Sequence, residues 1–289
     1  MSSQDPLAHQ IHPDTLVDER LVRLRRIATR EPIEQARSAV RGRAHAVEEG
    51  GTEQQRLEAE FFLELGVVHQ QATGHELSEE IEMRAVRSSK NQLVVGVSAK
   101  HGAAALTRVL PTLVDEAPSG VSGLRIGQER GGLRIQKIGS AGSILLPGLR
   151  PEHIRAALEQ HEQPVTRFDE WITPSLRAWE VEAMADGDEL LDRGQCQSAS
   201  AAIRRFGIFT HYGVSGITMW AQPIGPRRVI VEAMMSVDAS HRREILEMFV
   251  DDAFAPAAEL TEIENLQPPW HQPIALGAGL LDLRLQFEA

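Results

Sequence analysis

Cys196 is the only thiol in the chain, and it stands where a thiol could become a nucleophile. It follows Gly194-Gln195 and precedes a small-residue helical run at 198–202. A helix N-terminus stabilises a thiolate, and the thiolate is the reactive form in covalent catalysis. His271 and Asp282 come later in the chain, as a base and a group to orient it. Cys196, His271 and Asp282 are therefore the catalytic candidates for acyl transfer or hydrolysis, with His211 as a second possible base.

Gly194-Gln195-Cys196 and the chain order Cys, His, Asp resemble transglutaminase-like acyltransferases. The resemblance covers only those residues, and Gln197 stands where that family has a tryptophan. Against it weighs the commoner fate of a single cysteine, which is to be an inert part of the core.

Ser98, Lys100 and Gly102 lie between a β-prone run and a helical one, where free backbone N–H groups could hold an anion. The P-loop order of glycines and lysine is absent, so an ordinary strand-to-helix connection is the competing reading. The 11 histidines show no metal-ligand spacing: His75 begins like H-E-x-x-H, but Glu79 replaces the second histidine. No metal and no cofactor is expected. If a small-molecule pocket exists, its place is near residues 209–216 and Trp220, where polar tips sit beside apolar rings.

The strongest signal is electrostatic. Residues 20–45 hold Arg20, Arg23, Arg25, Arg26, Arg30, Arg37, Arg41 and Arg43 against only Glu31 and Glu34, in a chain of net charge −11. A basic segment on an acidic body suggests docking on something acidic: a sister subunit, a partner protein or a polyanion. A solvated helical face is the plain alternative. The acidic body argues against general nucleic-acid binding, and no aromatic stacking platform accompanies the arginines. An acidic run, from Glu180 to Asp192, offers a complementary docking surface. Only three of the 30 basic residues are lysine, which base composition of the gene explains most simply.

At 289 residues, with 42% hydrophobic and 25% charged side chains, the chain has the composition of a soluble globular protein. One cysteine excludes an intrachain disulfide. There is no apolar signal segment at the N-terminus and no long apolar run, so a cytoplasmic protein without a membrane span is expected.

Apolar spacing predicts helices through the first 90 residues. One starts from an Asp14 cap with Val17, Leu21, Leu24 and Ala28 on its stripe, a second carries Ile33, Ala36, Val40, Ala44 and Val47, and a third runs from Thr52 to a Gly74 cap. A short fourth helix is expected around Leu77, Ile81 and Ala85. Hairpins are expected at 124–135 and 217–234, with helices near 103–116, 151–161 and 240–254 and a closing strand at 281–287. Hairpin then helix recurs at about 120–160 and 215–255, which suggests a duplicated unit.

The expected fold class is α+β: a helical N-terminal module over 1–90, then a mixed body with antiparallel hairpins and packed helices. The body divides into an α/β segment (91–166), a helical connector (167–205) and a hairpin-helix-strand segment (206–289) sharing a core with the first. The expected function is non-enzymatic assembly, as a scaffold or adaptor subunit docking through the arginine segment on an acidic partner or in a homo-oligomer. A Cys196 enzyme and polyanion binding are the alternatives.

Overall fold

The computed structural model describes residues 18–70, 83–187, 191–222, 227–235, 241–261 and 271–287. Helices α1 (Glu19–Thr29), α2 (Ile33–Val40) and α3 (Thr52–Leu65) lead into strands β1 (Val67–Gln70), β2 (Met83–Ser88) and β3 (Gln92–Val97). Helix α4 (Ala99–Val109) precedes a ribbon, β4 (Thr112–Val114) and β5 (Ala117–Ser119). A meander follows: β6 (Leu124–Glu129), β7 (Gly132–Lys137) and β8 (Ser143–Pro147). Helices α5 (Pro151–Gln160), α6 (Arg167–Ile172), α7 (Ala178–Gly187), α8 (Arg193–Arg204) and α9 (Phe206–His211) come next. The chain closes with β9 (Val214–Ala221), β10 (Val229–Met235), α10 (His241–Phe249), β11 (Ala258–Leu260), β12 (His271–Leu276) and β13 (Gly279–Phe287). The fold is α+β.

The two large sheets are wired alike. One runs β2-β3-β8-β7-β6, the other β1-β9-β10-β13-β12-β11. In each, a hairpin is followed by a crossover containing a helix (α4 or α10) and an antiparallel three-strand meander. The last strand of the meander then lies parallel to the second strand of the hairpin: β8 beside β3, β13 beside β10. The repeat is real at the level of topology, but it matches 83–147 with 214–287. The sequence pattern had set 120–160 beside 215–255, which aligns the wrong hairpins, because the first unit's opening hairpin lies in β2 and β3. Helices α3 and α8 precede the two hairpins and pack on each other between the sheets. A single hydrophobic cluster runs through both units.

Several boundaries differ from the sequence expectation for local reasons. Asp18 caps α1, accepting from Arg20 N at 2.8 Å and Leu21 N at 3.3 Å; Asp14 lies outside the described residues. Helix α3 stops at Gly66, which takes φ +68, and the β-branched pair Val67-Val68 continues as strand. Gly74, Leu77 and Ile81 also lie outside the described residues, while Ala85 belongs to β2 rather than to a fourth helix. The helix foreseen at 103–116 ends at Val109, because Pro111 lacks the N–H to continue it, and the chain turns into the β4–β5 ribbon. Thr173 and Pro174, whose types suit the start of a helix, instead follow α6, with Thr173 as its C-cap, and the next helix starts at Ala178.

Three buried arginine–carboxylate pairs fasten the junctions. Arg25 forks onto Glu31 (2.6 and 3.0 Å) and reaches Ala46 O at 3.0 Å, holding α1 to the segment after α2. Arg204 forks onto Glu58 between α8 and α3. Arg125 forks onto Glu180 (2.8 and 2.7 Å), holding α7 to β6. The acidic run of the sequence is thus partly structural: Glu180 is fully buried and Asp192 caps α8.

Burial pushes the Glu180 carboxyl up, but hydrogen bonds from Arg125, Arg177 and the backbone N–H groups of Arg177 and Gly123 outweigh it and hold it at about 2. In the unfolded chain a glutamate titrates near ~4.3. The lowered folded value means the stabilisation is fully present above that pH and is lost as pH falls through about 2. Roughly 3 kcal/mol should therefore disappear across this window, a loss that Glu180→Gln removes. Urea midpoints measured from pH 5 downward test this; the same slope in wild type and E180Q would contradict it.

Candidate functional site

Helix α1 buries Leu21, Leu24, Arg25 and Ala28 on one side, which leaves Arg23, Arg26 and Arg30 exposed at i, i+3 and i+7. That spacing stacks the three side chains on one face, about 10 Å from end to end. Arg30 closes the helix at φ +60, its N–H bonded to Arg26 O at 2.9 Å. Helix α9 crosses α1 at Gly207, where an added Cβ would stand 2.2 Å from Ile27 O and 2.6 Å from Ala28 O. Only glycine allows this approach, because the obstructing atoms are backbone.

Between the two helices opens a cleft of about 620 Å³, lined by Arg23, Arg26, Ile27, Arg30, Glu31, Gly207, Thr210 and His211. Its one carboxylate, Glu31, is already neutralised by Arg25. Among the described residues, Arg23, Arg26 and Arg30 make no side-chain hydrogen bond or ion pair. The arginines at the last turn of α1 also complement its helix dipole, a modest structural role. Three unpaired guanidinium groups and an imidazole facing one concavity remain available for an anion.

The eight arginines of the basic segment therefore divide. Arg20 meets Asp251 at 2.9 Å and Asp252 at 3.0 Å. Arg37 meets Glu34 at 3.1 Å and Glu19 at 3.3 Å, and Arg43 pairs with Glu48. Arg25 is buried with Glu31. Arg41 is exposed and lines no part of the cleft. The positive charge left over is concentrated at Arg23, Arg26 and Arg30. Arg25 could have been set apart from the sequence, since it falls on the apolar stripe four residues after Leu21. The stretch 209–216, where the sequence suggested a pocket, supplies Thr210 and His211 to the opposite wall, whereas no sequence signal marked Gly207.

The structure brings two of the three catalytic candidates together and leaves the third elsewhere. His271 Nδ1 lies 3.5 Å from Asp282 Oδ2, on neighbouring strands β12 and β13. Asp282 also faces Arg284 (3.3 Å) and Arg228 (3.7 Å). Helix α8, with Cys196, packs on the face of β13 that carries Leu281, Leu283 and Leu285; Asp282 alternates to the other face. The sheet separates thiol from imidazole, so Cys196, His271 and Asp282 form no triad. Burial also pushes the Cys196 thiol up to about 11, overriding the helix terminus that was expected to activate it. At neutral pH its thiolate fraction should be about a hundredfold below that of an ordinary cysteine. Mass spectrometry after timed iodoacetamide treatment of the folded protein should show correspondingly slow alkylation. A rate matching a free thiol would contradict this.

The anion candidates at α4 are also occupied differently. Ser98 accepts from His101 N at 3.3 Å, so it caps the helix itself. Gly102 faces the core, where a Cβ would meet Val97 at 2.6 Å. Lys100 is exposed and makes no ion pair among the described residues. Among the described residues no three His, Cys, Asp or Glu side chains gather as a metal site would need, and no helix is long and apolar enough to cross a membrane.

A two-sheet α+β body with an arginine-lined cleft between α1 and α9 is thus what fold and site define. Comparison with known proteins finds no family model, no curated relative and no solved structure that matches this chain.

Proposed function

We propose that this chain works by docking, its α1–α9 cleft receiving a carboxylate-bearing segment of a protein partner, as a scaffold or adaptor subunit does. The observation that carries this reading is the set of three arginines at helical spacing around one concavity, unpaired among the described residues. Guanidinium groups suit carboxylates because their planar forks match the two oxygens. The reading is narrower than docking through the whole basic segment, since Arg20, Arg25, Arg37 and Arg43 already hold carboxylates of this chain. A protein partner is favoured over a nucleic acid because three arginines beside an acidic body neutralise few phosphates.

Titration of a fluorescent heptaglutamate peptide tests it. The peptide should bind the full-length chain, and binding should weaken at least about tenfold in R23Q/R26Q/R30Q, since each charge-assisted bond contributes ~1.5 kcal/mol or more. Absence of binding at low salt would overturn the reading. Tighter binding of a single-stranded oligonucleotide at the same cleft would replace it with the polyanion reading.

A further inference from the structure

The β4–β5 ribbon is a two-stranded sheet of its own, paired Leu113 with Pro118 and Val114 with Ala117. Its turn is Asp115-Glu116, and both residues take left-handed backbone, φ +50 and φ +67. Two positive φ values at the centre of a two-residue hairpin define a type I′ turn, for which asparagine and glycine are the usual choices. Aspartate followed by glutamate is a costly occupant, and such strain points to a use for the side chains. Everything from residue 113 to 118 is exposed, including Leu113 (39%) and Val114 (51%). Neither Asp115 nor Glu116 is ion-paired among the described residues. The chain thus presents an acidic finger with an apolar stem at one place and an unpaired arginine cleft at another.

We infer that the partner of the arginine cleft is a second copy of this chain, which inserts its Asp115-Glu116 finger between Arg23, Arg26, Arg30 and His211. This rests on the docking function proposed above and names its partner. The dimensions agree: paired strands are ~4.8 Å apart, so carboxylates splayed from the two turn residues span up to roughly 10 Å, the run of Arg23 to Arg30. Ile27 in the cleft meets the apolar stem. Because finger and cleft are different surfaces, the contact is head-to-tail, and it propagates into a ring or a filament rather than stopping at a two-fold dimer.

Light scattering and sedimentation of the full-length chain test this in two salt conditions. At about 50 mM salt the mass should rise with concentration above the 31.9 kDa of one chain, and at about 500 mM it should return to one chain. D115K/E116K and R23E/R26E/R30E should each remain monomeric. Mixing the two should restore association, because the reversed finger fits the reversed cleft and the native finger fits the native cleft. Association that survives in D115K/E116K overturns the inference, as does a mixture that stays monomeric. A wild-type chain that is monomeric at low salt but binds heptaglutamate would overturn the finger while leaving the docking cleft standing. A chain that does neither would overturn both.

Discussion

Glu58→Ala is expected to destabilise the fold by about 3–5 kcal/mol and to lower the melting temperature by roughly 10 °C. Glu58 and Arg204 are both shielded from solvent, at 0% and 1% exposure. Glu58 accepts from Arg204 at 2.6 and 2.9 Å, from Ser200 Oγ at 2.5 Å and from Gln54 Nε2 at 2.7 Å. Arg204 also reaches Glu48 O and Ser89 O, each at 3.0 Å, while Gln54 bonds both Ser143 O (3.1 Å) and Ser143 N (2.8 Å). The network therefore joins α3, α8, the segment before α3, the β2–β3 turn and β8. Removing the carboxylate leaves a guanidinium buried without a counter-charge, which is the costly way to break such a pair. Replacing both partners by apolar residues avoids that penalty. E58L/R204M should lie within ~2 kcal/mol of wild type, far better than E58A alone. Urea unfolding of the two variants decides the matter: a double variant as unstable as the single one would mean that the network does more than balance its own charges.

The second large effect is expected at the cleft, and it must be separated from net charge. R23Q/R26Q/R30Q and R20Q/R37Q/R43Q each remove three positive charges from the same basic segment. Long-range attraction falls equally in both, and it is screened beyond ~10 Å at ordinary salt. Only the first set lines the concavity, whereas Arg20, Arg37 and Arg43 are partly exposed and already occupied by Asp251, Asp252, Glu34, Glu19 and Glu48. Surface pairs of that kind contribute ~1 kcal/mol at most to stability, so the second variant remains a folded control. Heptaglutamate affinity should fall at least about tenfold in the cleft variant and by about threefold or less in the control.

Much of the architecture was legible because burial writes itself into period. Leu281, Leu283 and Leu285 alternate with Asp282 and Arg284, and they form the inner face of β13 as that alternation requires. The pairings of β6 with β7 and of β9 with β10 follow from paired β-prone runs. The reading failed where a single backbone position decides the outcome. Gly66 ends α3 early, and Pro111 turns α4 into the ribbon, while the apolar pattern around both remains compatible with helix. The repeat was visible as a pattern but misaligned, because β2 and β3 were read as the end of a helical module and an isolated strand.

The site was only half legible. A count of arginines pointed to α1 but could not show that four of the eight arginines hold this chain's own carboxylates. Arginine in place of lysine, set down to base composition, also serves the fold: Arg25, Arg125 and Arg204 each use the planar fork that an ammonium lacks. The Cys-His-Asp order failed because chain order carries no information about which face of a sheet a residue occupies. His271 and Asp282 met through strand pairing, while Cys196 was buried against the opposite face by the helix that was expected to activate it.

The most direct test of the docking account is the heptaglutamate titration of wild type, R23Q/R26Q/R30Q and R20Q/R37Q/R43Q side by side at one ionic strength. The account predicts saturable binding that the first variant loses and the second keeps. Equal losses in the two variants would show that the peptide responds to charge alone and that the cleft is not a site.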